Sequence, residues 1–594
     1  MTNPEPRTLC EAFQHTKTVR PEQIAIRTSD GRLELTWAEY GRRVEAAACG
    51  LHTLGVRRGE PVAFLLTNRP EFHIVDAAAM HLGAVPFSMY ATLAPEQIAH
   101  QLADSGARVV ICEEQFAEKL RAATVGGSIQ YFICVDAHLD GMFTLSELET
   151  LESFGFGFDF ESSWRAVEPH DTLTLVYTSG TTGPPKAVEL SHANLLAELH
   201  GVAQIMPLGF DDSLISYLSD AHMGNRWGLH YTSMRYGIEM ITVSDAKQLV
   251  ATLAAVHPTY FGAVPYIWYK IKAAVQAGIA AQPDEDLRAA ALRAIEIGTA
   301  VAWLRNAGEE IPADLSVAHA QADQHVLAPL RLRLGLDRVR FTTSGAAALD
   351  PDAVAFLNGL GLNVCEMWGM TEAAAAITAN PPDAIRFGTV GRIVPDCGEI
   401  KVADDGELLV RGPLVMKGYR NNPEKTAETI DPDGWLHTGD IGNIDSEGYV
   451  RILDRKKELI INSGGKNMSP ANIEGAVKAA CPLIGSAVAI GEAKPYVTAL
   501  ITLEPDAAAA YAARLGLTAA TPATFAADPE IRAVVAAGIE SANAKLARVE
   551  QIKKFEILPV VWEAGGDELT PTLKLKRNVI SAKYSAEIEQ LYAK

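Results

Sequence analysis

Between residues 36 and 125 strand-like and helix-like patterns alternate, and this alternation restricts the fold more than any other feature of the chain. Thr36 followed by Glu39 forms a capping box that opens a helix, and Gly55 stops it. Val62–Leu66 reads as a buried strand, residues 70–82 as a helix, and Val85–Ser88 as a second strand. Pro95 occupies a first helical position, Gly106 ends that helix, and Val109–Cys112 is the next strand. Repeated strand–helix–strand units imply a parallel sheet with helices on its faces. The pattern returns at 172–178, 259–265 and 339–345, which are predicted to continue as parallel sheet.

Two stretches depart from it. Residues 270–335 are Ala-, Leu- and Arg-rich with helical periodicity, a helical insertion between two strands. From about residue 398 short runs (GEIKV, GELLV, YVRIL) separated by Gly and Asp turns read as antiparallel strands. After 454-DRKK-457 a compact α+β stretch follows, with Ser469 as cap and Pro470 at the first position of a helix. The tail from 572 is polar and helical. The predicted class is α/β. A large N-terminal domain (1–454) holds parallel α/β sheets, the insertion at about 270–335 and an antiparallel β subdomain at about 395–454. A small α+β C-terminal domain (455–594) follows it.

A chain of 594 residues with 48% apolar and 21% charged residues has the composition of an ordinary folded protein. Its net charge of −21 argues against nucleic acid as the main partner. The seven cysteines are odd in number and lack metal-ligand spacing, so they read as reduced, buried thiols. No apolar run is long enough to span a bilayer and the N-terminus has no signal-like core, which places the protein in the cytoplasm.

The segment 176-VYTSGTTGPPKAVEL-190 has the composition of a phosphate cradle. Gly180 and Gly183 permit backbone conformations that aim several N–H groups at one centre. Thr178, Ser179, Thr181 and Thr182 add hydroxyls, and Lys186 adds a charge. It is not a Walker loop: counting from Gly180, Pro185 falls where the second glycine belongs, and Ala187 follows the lysine.

The string TSGTTGPPK resembles the signature loop of the adenylate-forming superfamily, and other blocks fall in that family's order. Ser344-Gly345-Ala346-Ala347 resembles its adenine-side loop, and Trp368-Gly369-Met370-Thr371-Glu372 its YGxTE motif. GWLHTGD carries Asp440, Asp454–Lys457 resembles the hinge block, and LTPTLKLKR resembles the C-terminal block with a catalytic lysine. The resemblance covers roughly residues 30–590. The insertion, GGKNMSPANIE and the closing block resemble the long-chain fatty acyl-CoA synthetase branch in particular.

The resemblance implies a two-step reaction. A carboxylate attacks the α-phosphate of ATP to give acyl-adenylate and pyrophosphate, and a thiol, coenzyme A, then takes the acyl group. Thr178, Ser179, Gly180, Thr181, Thr182, Gly183 and Lys186 are expected to hold the β- and γ-phosphates. Glu372, with Thr178, is expected to bind Mg²⁺, and Thr371 to donate to the α-phosphate. Gly345, Ala346, Glu366, Met367, Trp368 and Gly369 are expected around the adenine, with Trp368 offering a flat face. Asp440 and Arg455 are expected at the ribose, and Lys574 at the α-phosphate. Lys574, Thr371, Lys186 and His222 form the catalytic set. Lys457 is the expected hinge of a mobile C-terminal domain, and Gly464, Gly465 and Lys466 would approach coenzyme A. Lys576 and Arg577 are expected to be surface charges. Segments 216–234 and 261–270 are the expected walls of an apolar acyl pocket. Ser219-Asp220-Ala221-His222 stands where Pro-Leu-Ala-His is common, Ala187 where glycine is, Ala348 where proline is, and Trp368 replaces tyrosine.

Two other readings stay open: a fatty acyl-AMP ligase that passes its product to an acyl carrier protein, and a non-catalytic binding paralogue. Peripheral membrane contact, oligomeric state and acyl chain length are not determined by the sequence.

Overall fold

A computed structural model describes residues 5–127, 129–151, 157–178, 185–463, 466–514, 521–570 and 572–593. Local signals start and stop the helices where they stand in the sequence. The helix Trp37–Thr53 is opened by a reciprocal capping box between Thr36 and Glu39. Helices Pro70–His81 and Pro95–Ser105 begin on proline. Gly106 ends the second of these at φ +74°, a conformation glycine adopts without strain.

The first sheet is wholly parallel, in the order Val85–Ser88, Pro61–Leu65, Val109–Cys112, Tyr131–Cys134, Phe143–Thr144. A second sheet pairs Tyr260–Ala263, Phe341–Ser344 and Val364–Trp368 in parallel, then adds Thr378–Ala379 and Arg392–Ile393 antiparallel. Between the first two strands of this second sheet lie the helices of the insertion, which begin at Pro265. An antiparallel sheet of four strands spans Glu399–Arg455.

The strand Thr172–Thr178 corrects the expectation of a parallel continuation. It pairs antiparallel with Lys186–Ser191, with Thr178 opposite Lys186, and Gly418–Tyr419 pairs with the other edge of Lys186–Ser191. The stretch between the two strands is too short for a crossover, and a short connection can only make a hairpin. The residues 179–184, with the expected phosphate contacts Ser179, Gly180, Thr181, Thr182 and Gly183, lie outside the described residues.

The helix Pro70–His81 is buried at every position except Glu71, so its polar side chains must find partners inside. Asp76, fully buried, accepts from the Arg226 guanidinium, and its other oxygen lies 3.0 Å from His230 Nε2. His230 Nδ1 in turn lies 2.9 Å from His73 Nδ1. An ionised Asp76 accepts only, so the network assigns the proton of His230 to Nε2 and that of His73 to Nδ1.

The C-terminal part has its own core, built on Ile484–Ile490 and Val497–Leu503 antiparallel and Ile552–Ile557 parallel. The tail is helical as expected, but one of its charges is not where it was expected. Its helices Arg577–Lys583 and Ser585–Tyr592 bury Ile580, Ile588 and Leu591 against Val488, Leu500 and Trp562. Arg577 is not a surface charge: it forks onto Glu474 at 2.6 and 2.8 Å and reaches Glu458 at 3.1 Å. Such a bidentate pair orients as well as attracts. Lys576 Nζ donates to the Gly566 carbonyl at 2.8 Å.

Candidate active site

The site is assembled from ends of elements far apart in sequence. Ser344 is opposite Glu366 in the parallel register, so the turn after Ser344 and the end of Val364–Trp368 emerge side by side at the carboxyl ends of their strands. Ligands of open α/β sheets bind in this position. Gly345 lies against the Met367 carbonyl, and Ala346 adopts φ +72°, unusual for a residue with a Cβ. Glu366 is buried; its Oε1 accepts from Leu349 N at 3.0 Å and burial pushes its pKa up to about 7. Its Oε2 is buried with no protein partner, an acceptor or donor left for a ligand group.

Asp440 and Arg455 are cross-strand partners, and Arg455 Nε contacts Asp440 Oδ1 at 2.7 Å. The other oxygen, Oδ2, accepts from Trp368 Nε1–H at 2.8 Å. Trp368 is thus more than a flat face: its indole N–H aims the carboxylate. The sequence carried the signal, because tryptophan in place of tyrosine brings a ring donor. Burial raises the Asp440 pKa, while Arg455, the Trp368 bond and Lys574 oppose the rise.

Glu372 is nine-tenths buried and its Oε1 accepts from Tyr419 O–H at 2.8 Å. Lys186 Nζ lies 4.7 Å from the centroid of the same tyrosine ring. Enclosure lowers the Lys186 pKa, with Lys425 and Lys457 adding to the effect and Glu372 opposing it. Three lysines therefore share one field beside a carboxylate, which suits a polyphosphate with a divalent ion. Tyr419 and Lys425 were missed in the sequence; the only hint was the GY pair at 418–419, and its pairing with Glu189 and Val188 is tertiary. Among the described residues no three His, Cys, Asp or Glu side chains cluster as a self-sufficient metal site. One buried carboxylate oxygen pair beside lysines fits an ion that draws its remaining ligands from phosphate and water. Thr178 Oγ1 lies 3.5 Å from the Lys186 carbonyl, at the mouth of the hairpin.

Lys574 sits on a tight turn: Thr570 N donates to its carbonyl at 2.8 Å, and Lys574 N donates to Thr570 Oγ1 at 3.0 Å. Leu573 before it has φ +62°. The side chain keeps access to water, yet surrounding protein lowers its pKa. Arg455 lowers it further, and Asp440, Glu372 and Glu458 pull it back up. His222 belongs to the same neighbourhood: burial and then the Lys574 charge push its pKa down to about 4. Its Nδ1 accepts from Gly224 N at 3.1 Å, so the imidazole is neutral with the proton on Nε2. Lys574, Asp440, Arg455, Glu372 and His222 are thereby drawn to one place, and Glu372 links them to Lys186. Thr371 opens the short turn Thr371–Ala373 that carries Glu372, directly after Gly369 and Met370.

Lys457 is exposed on the turn between Val450–Arg455 and Ile460–Ile461. Gly464 and Gly465 lie outside the described residues, and Lys466 is exposed on the hairpin of 460–461 with 467–468. Among the described residues no hydrogen bond or ion pair joins Lys466 to the groups around Lys574. The C-terminal part is held on the insertion: Tyr266 O–H donates to Glu504 Oε1 at 3.1 Å, and Lys270 Nζ reaches Asp506 at 3.0 Å.

The expected acyl walls are buried aromatic surface, with Tyr217 stacked on Phe261 and Phe261 edge-on to Trp268. Asp220 does not present a free charge there. Its Oδ1 accepts from Asn225 Nδ2 at 2.6 Å, and burial pushes its pKa up to about 7. An open cleft of about 760 Å³ lined by Glu11, Lys17, Phe158 and Trp164 lies elsewhere and includes none of these residues.

The family described as AMP-binding enzyme matches residues 13–420, and its C-terminal domain matches 457–594. A Mycobacterium tuberculosis protein, fadD11, is 51% identical over 453 residues, covering 76% of this chain and 79% of its own. The long-chain-fatty-acid–CoA ligase FadD15 of the same species is 35% identical over 590 residues, covering 98% and 96%. Among solved structures, the adenylation domain of a carboxylate reductase from Mycobacterium chelonae superposes with TM-score 0.78 at 19% identity, covering 100% of this chain and 92% of its own. The anthranilate CoA ligase AuaEII in complex with anthranoyl-AMP gives 0.74 at 20% identity, covering 99% of both. At such identities the likeness is one of fold.

Proposed function

Since the chain belongs to the AMP-binding enzyme family, we propose that it activates a long-chain fatty acid with ATP and passes the acyl group to coenzyme A. The acid's carboxylate oxygen attacks the α-phosphorus, and the bond from that phosphorus to the bridging oxygen breaks. Pyrophosphate leaves. The thiolate of coenzyme A then attacks the acyl carbon and AMP departs. The observation that carries the reading is that Lys574 shares a field with Asp440, Arg455 and Glu372, and Glu372 with Lys186, although these residues lie far apart in the sequence.

The residues act as follows. Asp440, aimed by Arg455 and Trp368, has acceptor capacity left for two ribose hydroxyls. Glu366, Met367, Gly345 and Ala346 border the adenine. Lys186, with Lys425 beside it, faces the β- and γ-phosphates together with Thr178; Ser179, Gly180, Thr181, Thr182 and Gly183, which lie outside the described residues, are assigned to the same phosphates from the motif alone. Glu372 offers a hard oxygen to Mg²⁺, which when bound neutralises phosphate charge. Thr371 and Lys574 donate where charge develops on the α-phosphate, the placement that lowers a barrier. His222, neutral with a donor at Nε2, borders the carboxyl end of the acyl pocket.

Trp368→Phe keeps the ring face and deletes the donor. The KM for ATP is expected to rise about tenfold, the worth of one hydrogen bond to a charged group, with kcat changed less. A lower kcat at unaltered KM contradicts the assignment. Lys457→Pro stiffens the proposed hinge: thioester formation is expected to slow while pyrophosphate release stays near normal. Equal losses in both half-reactions sink the two-position reading.

The function itself is tested by pyrophosphate release across fatty acids of graded length, with coenzyme A or a phosphopantetheinylated carrier as acceptor. Acyl-CoA from long-chain acids is the expected result. Product only with the carrier moves the protein to the acyl-AMP ligases, and no pyrophosphate with any acid leaves a binding protein.

A further inference from the structure

Glu198 has no role in the reaction as derived above, yet it is a fully buried carboxyl group. It lies on the helix His192–Ile205, capped by Ser191 at the end of the strand that begins with Lys186. Its Oε1 accepts a hydrogen bond from Ala376 N, while Oε2 is buried without a protein partner. Leaving a polar atom so costs free energy that an apolar residue avoids, so the position asks for a reason.

The reason lies in the loop it touches. Ala374 has φ +60° and Ala375 φ +139°, two successive residues with side chains in the region that favours glycine. Such a conformation is strained for a residue with a side chain and persists only where its surroundings hold it. The loop folds tightly back on itself. A Cβ on Gly369 would come within 1.6 Å of the Ala375 carbonyl, and Ile377 N donates to Trp368 O at 2.8 Å. Thr371 and Glu372 lie on the same loop, just before the strained pair, and Met416 N donates to Glu372 O at 2.9 Å. Among the described residues, Glu198 is the one side chain that hydrogen-bonds the backbone of 373–377.

We propose that Glu198 is a positioning residue: its buried carboxyl oxygen clamps the Ala376 N–H and holds the strained turn that presents Thr371 and Glu372 to the nucleotide and its Mg²⁺. It ties that turn to the helix growing from the Lys186 strand, so that two phosphate-facing segments keep one spacing. The proposal rests on the adenylation reading for what Thr371 and Glu372 face, but not for the clamp itself.

Two variants separate the clamp from mere filling. Glu198→Gln keeps the acceptor and the volume; Glu198→Leu keeps the volume alone. Hydrogen–deuterium exchange of amides 371–377 in the unliganded protein is expected to quicken in Glu198→Leu and to stay slow in Glu198→Gln. With fatty acid saturating, kcat/KM for MgATP is expected to fall about 10–100-fold in Glu198→Leu, the usual penalty for losing a residue that orients a metal ligand. The Mg²⁺ concentration for half-maximal rate should rise with it, and Glu198→Gln should recover most of both. Should Glu198→Leu not fold, adding Ala375→Gly relieves the turn. That double variant is expected to fold, with exchange still fast and Mg²⁺ dependence still weakened. Slow exchange in Glu198→Leu or in the double variant overturns the clamp, as does equal damage in Glu198→Gln. A wild-type protein that releases no pyrophosphate with any acid, yet shows the exchange pattern, removes the adenylation reading and leaves the clamp standing.

Discussion

Lys574→Ala is expected to slow pyrophosphate release about 10²–10³-fold, the cost of one donor placed where transition-state charge develops. Transfer to coenzyme A from preformed acyl-adenylate should change by only a few-fold. The asymmetry follows from where the lysine is held. Its ammonium shares a field with Arg455, Asp440, Glu372 and Glu458, and its charge is felt at His222, which suits the proposed role in the step where two anions meet. It reaches that place on the turn built by Thr570 and Leu573, not from the body of the large domain. Enclosure and Arg455 lower its pKa, so its proton is lost at lower pH than that of an ordinary lysine. The alkaline limb of the adenylation rate should therefore lie below the usual lysine range and vanish in Lys574→Ala. Stopped-flow pyrophosphate detection across pH measures both, and an unchanged alkaline limb assigns it to another group.

Asp76→Ala is expected to cost about 3–5 kcal/mol of stability, because it leaves the Arg226 charge buried with no counter-ion. The pair itself contributes little net stability, since two charges were taken out of water to form it; breaking it is what costs. Asp76→Leu combined with Arg226→Met should therefore cost less than Asp76→Ala alone. Chemical denaturation measures the comparison. A double variant worse than the single one sinks the account. Burial pushes the Asp76 pKa up, but Arg226 and His230 more than offset it, and the carboxyl stays below the ordinary range. A depressed folded-state value makes this contribution full above the unfolded carboxylate pKa near 4. It is lost as pH falls through the lower folded value. His73 and His230, whose pKa values burial drives down, stay neutral in this network.

How far the sequence could be read depended on the reach of each signal. Thr36 with Glu39, Pro70, Pro95, Gly106 and Ser469 with Pro470 act over one turn of chain, and the structure has helix ends at all of them. The apolar run 172–178 carries no sign of direction, so the repeating pattern around it predicts a parallel partner; the short link to Lys186 makes the pair antiparallel instead. Arg577 looked like surface beside Lys574 and Lys576, because a basic run does not show Glu474 and Glu458 a hundred residues upstream. Motif order leads to the expectation of Trp368 at the adenine, but carries no sign of its indole N–H on Asp440. Tyr419 on Glu372 and Glu198 on Ala376 had no sequence mark at all.

By itself the sequence determined several helices and strands and the ends at Thr36, Pro95, Gly106 and Pro470, because caps, turns and glycines act on neighbours; its short motifs give the phosphate- and ribose-facing residues as a proposal. Only the tertiary structure decided which carboxylate meets which donor: Asp440 with Trp368, Asp76 with Arg226, Glu198 with Ala376. These partners lie far apart in the chain, and a hydrogen bond between them exists only once sheets and helices have brought their ends together.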